Sequence, residues 1–171
     1  IVIEEHSDLG LPCHCAGIVA QKITRLISFP NDIILNRVKD ANIIAPNLNN
    51  IIMRGQESPV ILDRVRFDAY FGTEAQKLGA QYLMNEKYQT HWALRNGHTL
   101  IKTNKHLIEA KILVGADGPF SQVAARFGIK HNLIPATQAY VKMKYPLNQA
   151  GMYFNPQWKE LFGYVVPEGK N

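Results

Sequence analysis

Apolar residues in this chain arrive in short β-branched runs, each closed within a few positions by Asn, Pro, Gly or a charge. Ile1-Val2-Ile3, Ile33-Ile34-Leu35, Ile43-Ile44, Ile51-Ile52-Met53 and Val60-Ile61-Leu62 are all of this kind. Runs of that length and composition suit strands, because branched side chains fit a pleated surface and the punctuation allows no long helix. Between 33 and 62 the runs are separated by Asn-rich turns and by Pro46 and Pro59, which predicts a layer of mostly antiparallel strands. Ile1-Val2-Ile3, followed at once by Glu4-Glu5, reads instead as a buried parallel strand ending in a polar loop.

Three helices are expected. Val19, Ile23 and Leu26 fall at helical intervals within Ala16 to Ile27. Asp63 is placed to cap a second helix with Phe67, Tyr70, Phe71, Ala75 and Leu78 on one face and Gly79 as its stop. Phe120 to Phe127, before Gly128, reads as the third. Strands are expected at Gln81 to Leu83, Thr90 to Leu94, Thr99 to Lys102, and Lys111 to Val114, the last of the buried type. Asn96-Gly97 signals a two-residue hairpin turn. Gln138 to Lys144 and Gly151 to Phe154 alternate like sheet, and Tyr164 to Pro167 reads as a final strand. No internal repeat or low-complexity tract occurs.

Composition sets the outer limits. With 46% hydrophobic and 19% charged residues among 171, the chain is too apolar for a disordered tail. Its longest apolar runs fall far short of the roughly 20 residues of a bilayer span. Nineteen Lys plus Arg against fourteen Asp plus Glu give a net charge of +5, yet the cations are scattered singly, as in Lys102, Lys105, Lys142 and Lys144. That pattern lacks the dense stripe of a nucleic-acid binder, so no nucleic-acid partner is expected. Cys13 and Cys15 stand too close for an ordinary stabilising crosslink, which argues against a disulfide scaffold and for a reducing, cytoplasmic setting. Cys13-His14-Cys15 could be read as a metal site, but adjacent residues cannot easily surround one tetrahedral ion and no second ligand pair completes it, so no metal is expected. No Ser-His-Asp or phosphate-loop arrangement is present. The chain begins at Ile1 inside an expected strand, without a leader pattern, which reads as a piece of a longer protein.

In doubly wound nucleotide-binding folds, a carboxylate at the end of the second strand bonds the ribose, about 20 residues after a glycine-rich turn. Glu4 and Glu5 sit at such a strand end, or simply end a strand as solvated glutamates. Context comes from Gly10-Leu11-Pro12-Cys13-His14-Cys15-Ala16-Gly17, from Asp63-Arg64-Val65-Arg66-Phe67-Asp68, and from Gly115-Ala116-Asp117-Gly118-Pro119-Phe120-Ser121. In these segments the chain resembles the geranylgeranyl reductase family of FAD-dependent oxidoreductases, most closely the archaeal digeranylgeranylglycerophospholipid reductases. The resemblance runs over nearly the whole sequence. The family's glycine-rich turn would lie upstream of Ile1, and its second flavin motif beyond Asn171.

The resemblance implies a mixed α/β (α+β) fold, a partial glutathione-reductase-like FAD-binding domain with an antiparallel substrate-binding sheet. Residues 1–32 and 63–130 would belong to the FAD-binding part, 33–62 to the start of the inserted sheet and 131–171 to the start of the substrate domain. It implies that Glu4 holds the adenosine ribose, that Cys15, Ala16 and Ile18 lie along the flavin where a helix opens, and that Arg64 contacts the dinucleotide. Asp117 would stand near the dinucleotide and Tyr88 near the adenine. Tyr164 and Pro167 would line a lipid cavity, with Tyr164 and Val166 replacing the family's usual aromatics. Cys15 would assist catalysis by orienting the flavin or handling a proton.

Each position also has a structural reading: Arg64 as a helix-start partner of Asp63 or Asp68, Asp117 as the cap of the next helix, Cys15 as a small buried apolar residue, and the Tyr164 segment as an edge strand. The implied activity is reduction of double bonds in polyprenyl chains of membrane lipids by hydride transfer from reduced FAD. NADPH or a ferredoxin-like carrier would supply the electrons, and a peripheral membrane contact is compatible with such a substrate. Two other readings stay open, an aromatic-hydroxylase-type flavin monooxygenase and a catalytically silent flavoprotein fragment.

Overall fold

The computed structural model describes residues 1–145 and 147–169, so Pro146, Lys170 and Asn171 of the expected 131–171 segment lie outside it. In chain order the elements are β1 (Val2–Ile3), β2 (Ile18–Val19), α1 (Ile23–Leu26), β3 (Ile34–Arg37), β4 (Asp40–Ile44), β5 (Asn50–Arg54), β6 (Val60–Leu62) and α2 (Arg64–Lys77). They continue as β7 (Tyr82–Leu83), β8 (Tyr88–Ala93), β9 (Thr99–Thr103), β10 (Leu107–Ala110), α3 (Gln122–Arg126), β11 (Ala150–Tyr153) and β12 (Gly163–Val165). The chain divides into two compact units, one of Ile1–Leu9 with Gly72–Leu133, the other of Gly10–Phe71 with Ile134–Asn171. The fold is mixed α/β with mainly antiparallel sheets.

In the second unit β6 lies at the centre of a three-stranded sheet, antiparallel to both β2 and β3. Alternation sends its side chains to opposite faces, and both faces are buried. Val60 and Leu62 pack with Ile33, Val19, Phe29 and Phe67, while Ile61 meets Val38 and Ala150 on the other side. A second sheet has the order β12-β11-β4-β5, with β4 antiparallel to β5 and parallel to β11. The short β-branched runs of 33–62 thus form the strands expected of them. Asp63 Oδ1 accepts from the Arg66 N–H at 3.1 Å, the expected cap of α2.

In the first unit β1 pairs in parallel with β7, and β8, β9 and β10 form an antiparallel meander. The second half of α2 ends at Lys77, and Gly79 just beyond it has a φ of +97°, which suits glycine. The Ala80 N–H then donates back to the Ala75 carbonyl at 2.9 Å. Gly72 is buried because a Cβ there would stand 2.3 Å from Leu9 Cδ1. Ser121 caps α3 by accepting from the Ala124 N–H, and Gly128 follows at φ +72°.

Several expectations are corrected. Ala16 to Ile27 is not one helix. Ile18 and Val19 are drawn into β2 by pairing with Ile61 and Val60, leaving only the four residues of α1. Lys111 to Val114 forms no strand, and the meander takes Leu107–Ala110 instead because that stretch meets β9 in register. Without a ladder partner, Ile112 and Val114 are 78% and 76% exposed. Gln138 to Lys144 likewise has no strand. Ile1 and Val2 are exposed rather than buried, and Leu78 is solvent-facing rather than part of the apolar face of α2. The Asn96-Gly97 hairpin forms, but with a three-residue loop. Gly97 N–H donates to Leu94 O, Leu94 N–H donates to His98 O, and Gly97 alone takes positive φ, so Asn96 need not.

Candidate functional site

In the second unit, residues 10–17 form an irregular turn fixed at both ends. Gly10 (φ +84°) and Gly17 (φ +72°) lie where a Cβ would approach Val65 O at 2.7 Å and Leu62 O at 2.3 Å. The Leu62 N–H donates to Gly17 O at 2.9 Å. This anchoring brings Cys15 within electrostatic reach of Arg64, which begins α2. The Gly17 N–H donates to Cys15 Sγ at 3.4 Å, and Asp68 first and Cys15 second hold the Arg64 guanidinium above its ordinary value. No helix opens at Cys15, so the expected helix-start environment is replaced by one N–H and one guanidinium. Ala16 is half-buried beside it, and Ile18 projects 41% exposed from β2.

Arg64 donates to Asp68 from Nε and Nη2 at 3.0 to 3.2 Å, which is the helix-start pairing weighed as its structural reading. Those bonds leave Nη1 uncommitted to Asp68, so the fork retains donor capacity. Tyr164, in β12, donates its hydroxyl to Gln138 Oε1 at 3.3 Å. Pro167 is buried, and its carbonyl accepts from Asn36 Nδ2 at 2.8 Å.

In the first unit, the Glu4 backbone continues the β1–β7 pairing by donating to Leu83 O. Its carboxylate accepts from the His6 N–H at 2.9 Å and meets His6 Nδ1 at 2.7 Å, both through Oε1. The second carboxylate oxygen lies outside that pairing, so the acceptor a ribose hydroxyl requires is present. Glu5, the alternative carboxylate, pairs with Lys87 at 2.5 Å.

Tyr88 lies on β8 with its hydroxyl 2.7 Å from His91 Nδ1. Burial pushes that phenol up, Arg126 opposes the shift and Asp117 adds to it. Asp117 caps α3, accepting from Ser121 Oγ and from the N–H groups of Gln122 and Val123 at 2.7 and 3.1 Å. Burial raises this carboxyl, but the Ser121 hydroxyl and the backbone donors outweigh it and hold the group below its ordinary value. Asp117 therefore fills its capping role, and Asp117 and Tyr88 fall within electrostatic reach of each other.

Two arrangements were not foreseen from the sequence. His6 closes on Glu4 from two residues away. Glu86 is 2% exposed under the turn after β9, accepting from Thr103 Oγ1 and meeting His106 Nδ1 at 2.8 Å. Thr103 donates to hold Glu86 below its ordinary value against the burial that raises it, with His106 adding to the effect. Only the i, i+2 spacing of Glu4 and His6 could have signalled the first; nothing local signals the second. Among the described residues no group of three or more His, Cys, Asp or Glu is placed to hold a metal ion, and no helix is long and apolar enough to cross a membrane.

No family model matches the chain. Digeranylgeranylglycerophospholipid reductase 3 of Methanosphaera stadtmanae is 28% identical over 180 residues, covering 99% of this chain and 45% of that protein. An "uncharacterized protein in nifH2 5'region" of Methanosarcina barkeri is 26% identical over 147 residues, covering 75% of this chain and 74% of that one. A geranylgeranyl bacteriochlorophyll reductase-like protein from Thermoplasma acidophilum superposes with a TM-score of 0.75 at 23% identity, over 98% of this chain and 47% of that one. The chain thus spans under half the length of the reductase and of the solved chain. The resemblance to geranylgeranyl reductases read from the motifs is borne out, and over the shared part the fold is that of the Thermoplasma protein.

Proposed function

We propose that this chain is the flavin-contacting part of an FAD-dependent oxidoreductase that reduces double bonds in polyprenyl chains of membrane lipids. The observation that carries the reading is that Cys15 falls within electrostatic reach of Arg64, two positions distant in sequence that the motif resemblance had assigned to one cofactor. The reductase named among the relatives, matched along 99% of this chain, supports the substrate class. FAD, when bound, supplies the hydride that reduces the alkene. Glu4 accepts from the ribose hydroxyls through the oxygen His6 leaves unused, and Arg64 places its remaining donors on the dinucleotide phosphates. Cys15, with Ala16 and Ile18, lies along the flavin and orients it or passes a proton. Asp117 stands near the dinucleotide and Tyr88 near the adenine. Tyr164 and Pro167 line the cavity for the prenyl chain. The electrons come from NADPH or a ferredoxin-like carrier.

The test is an FAD titration, followed by visible absorbance and fluorescence quenching, of this chain and of a version extended at both ends to the length of the reductases. Binding by the extended version, weakened about tenfold or more by Arg64→Ala as expected for losing charged phosphate contacts, supports the reading. Failure of both versions to bind removes it. Anaerobic turnover of a geranylgeranyl lipid separates the reductase from the monooxygenase, which would form product only with oxygen.

A further inference from the structure

We propose that Cys13 and Cys15 form a redox-active dithiol, with Cys15 oxidised first by a peroxide and Cys13 resolving it into a reversible intrachain disulfide. The inference does not rest on flavin binding. Both cysteines are free and partly exposed in the turn of residues 10–17, and they differ in their surroundings. Cys15 Sγ receives the Gly17 N–H at 3.4 Å and stands within electrostatic reach of the Arg64 guanidinium. An N–H donor and a cation beside a sulfur stabilise the negative charge that passes through it during attack. Cys13 is placed differently. Its thiol donates to the Cys15 carbonyl oxygen at 3.6 Å, which holds it over the residue it must join.

Residues 13–16 belong to no helix or strand, so drawing the two α-carbons into disulfide range breaks no ladder pairing. A spacing of two makes the crosslink too small to stabilise a fold, and strained, accessible disulfides are the ones readily reduced again.

The atoms balance. The Cys15 thiolate attacks one peroxide oxygen, the O–O bond breaks, and sulfenic acid and hydroxide form. Cys13 then attacks the sulfenic sulfur, the S–O bond breaks and water leaves. The two thiols have lost the two electrons that the peroxide gained, and an external dithiol returns them.

Hydrogen peroxide is added to the 171-residue chain, which is quenched with a thiol-alkylating reagent and digested with trypsin. Ile1–Lys22 carries both cysteines in one peptide. The expected product is this peptide lighter by two hydrogens and unalkylated, restored by dithiothreitol. Cys13→Ser should instead accumulate a dimedone-trappable sulfenic acid at Cys15. Arg64→Ala should slow oxidation about three- to tenfold, with Arg64→Lys intermediate. The same chain in urea, with Arg64 removed from the sulfur without mutation, should also react more slowly. Cys15 passing to sulfinic acid while Cys13 stays a thiol would overturn the proposal. So would disulfide-linked dimers as the main product, or a rate in urea equal to that of the folded chain.

Discussion

Gly17 and Gly97 show how one backbone requirement acquires different weights. Both have positive φ, +72° and +82°, so alanine at either adds the left-handed penalty of roughly 1–2 kcal/mol. At Gly97 a Cβ meets nothing within 4 Å, whereas at Gly17 it would stand 2.3 Å from the carbonyl oxygen of Leu62, backbone that cannot swing aside. Gly97→Ala should therefore cost about 1–2 kcal/mol and Gly17→Ala more than about 3 kcal/mol, measured by urea denaturation. Equal losses would mean the turn of residues 10–17 is not anchored on the strand before α2. Glycine at 17 was visible in the sequence as part of a motif. Its buried neighbour was not, because Leu62 is 45 residues away in the chain.

Among the elements, α3 is short and depends on its cap. Asp117 accepts two backbone N–H groups at the start of this helix, and its folded carboxyl is held below the ordinary value of 3.8. A carboxyl depressed on folding contributes stability above its unfolded pKa and loses it as pH falls through the lower folded value. Amide exchange of residues 122–126, corrected for intrinsic rates, should accelerate as pH falls below about 4, where unfolded aspartates protonate. Asp117→Asn should flatten that dependence and cost under about 1 kcal/mol, since the group is largely exposed. A pH-independent helix would contradict the capping. Elements with a local signal were legible: the strands of 33–62, the cap and stop of α2, and the Gly97 turn. Ala16 to Ile27 was misread because its helical spacing competes with β pairing to Ile61 and Val60, and pairing partners are invisible to a local window.

For the molecule as a whole, burial is unequally shared. The second unit holds Ile33, Val38, Val60, Ile61, Leu62 and Ala150 below a tenth exposed, whereas in the first unit Ile101 alone among the described hydrophobics is buried to that extent. Hydrogen exchange should accordingly be slowest at β6 and faster throughout β8, β9 and β10. Ile61→Ala, at a site 0% exposed and packed on Val38 and Ala150, should cost about 2–5 kcal/mol. Greater protection in the meander than in β6 would show that the first unit draws its stability from something other than apolar burial.

By itself the sequence determined the mixed α/β class, the short strands and their turns, and the motif set that pointed to a geranylgeranyl-reductase-like chain. These are properties of local patterns, where side-chain period and turn chemistry act over a few residues. Only the tertiary structure decided that Cys15 comes within electrostatic reach of Arg64, that Glu86 is buried beneath Thr103 and His106, and that Leu107–Ala110 pairs while Lys111 to Val114 does not. Those outcomes depend on which distant segment supplies a partner for each charge, sulfur or unpaired strand, and that is settled by packing.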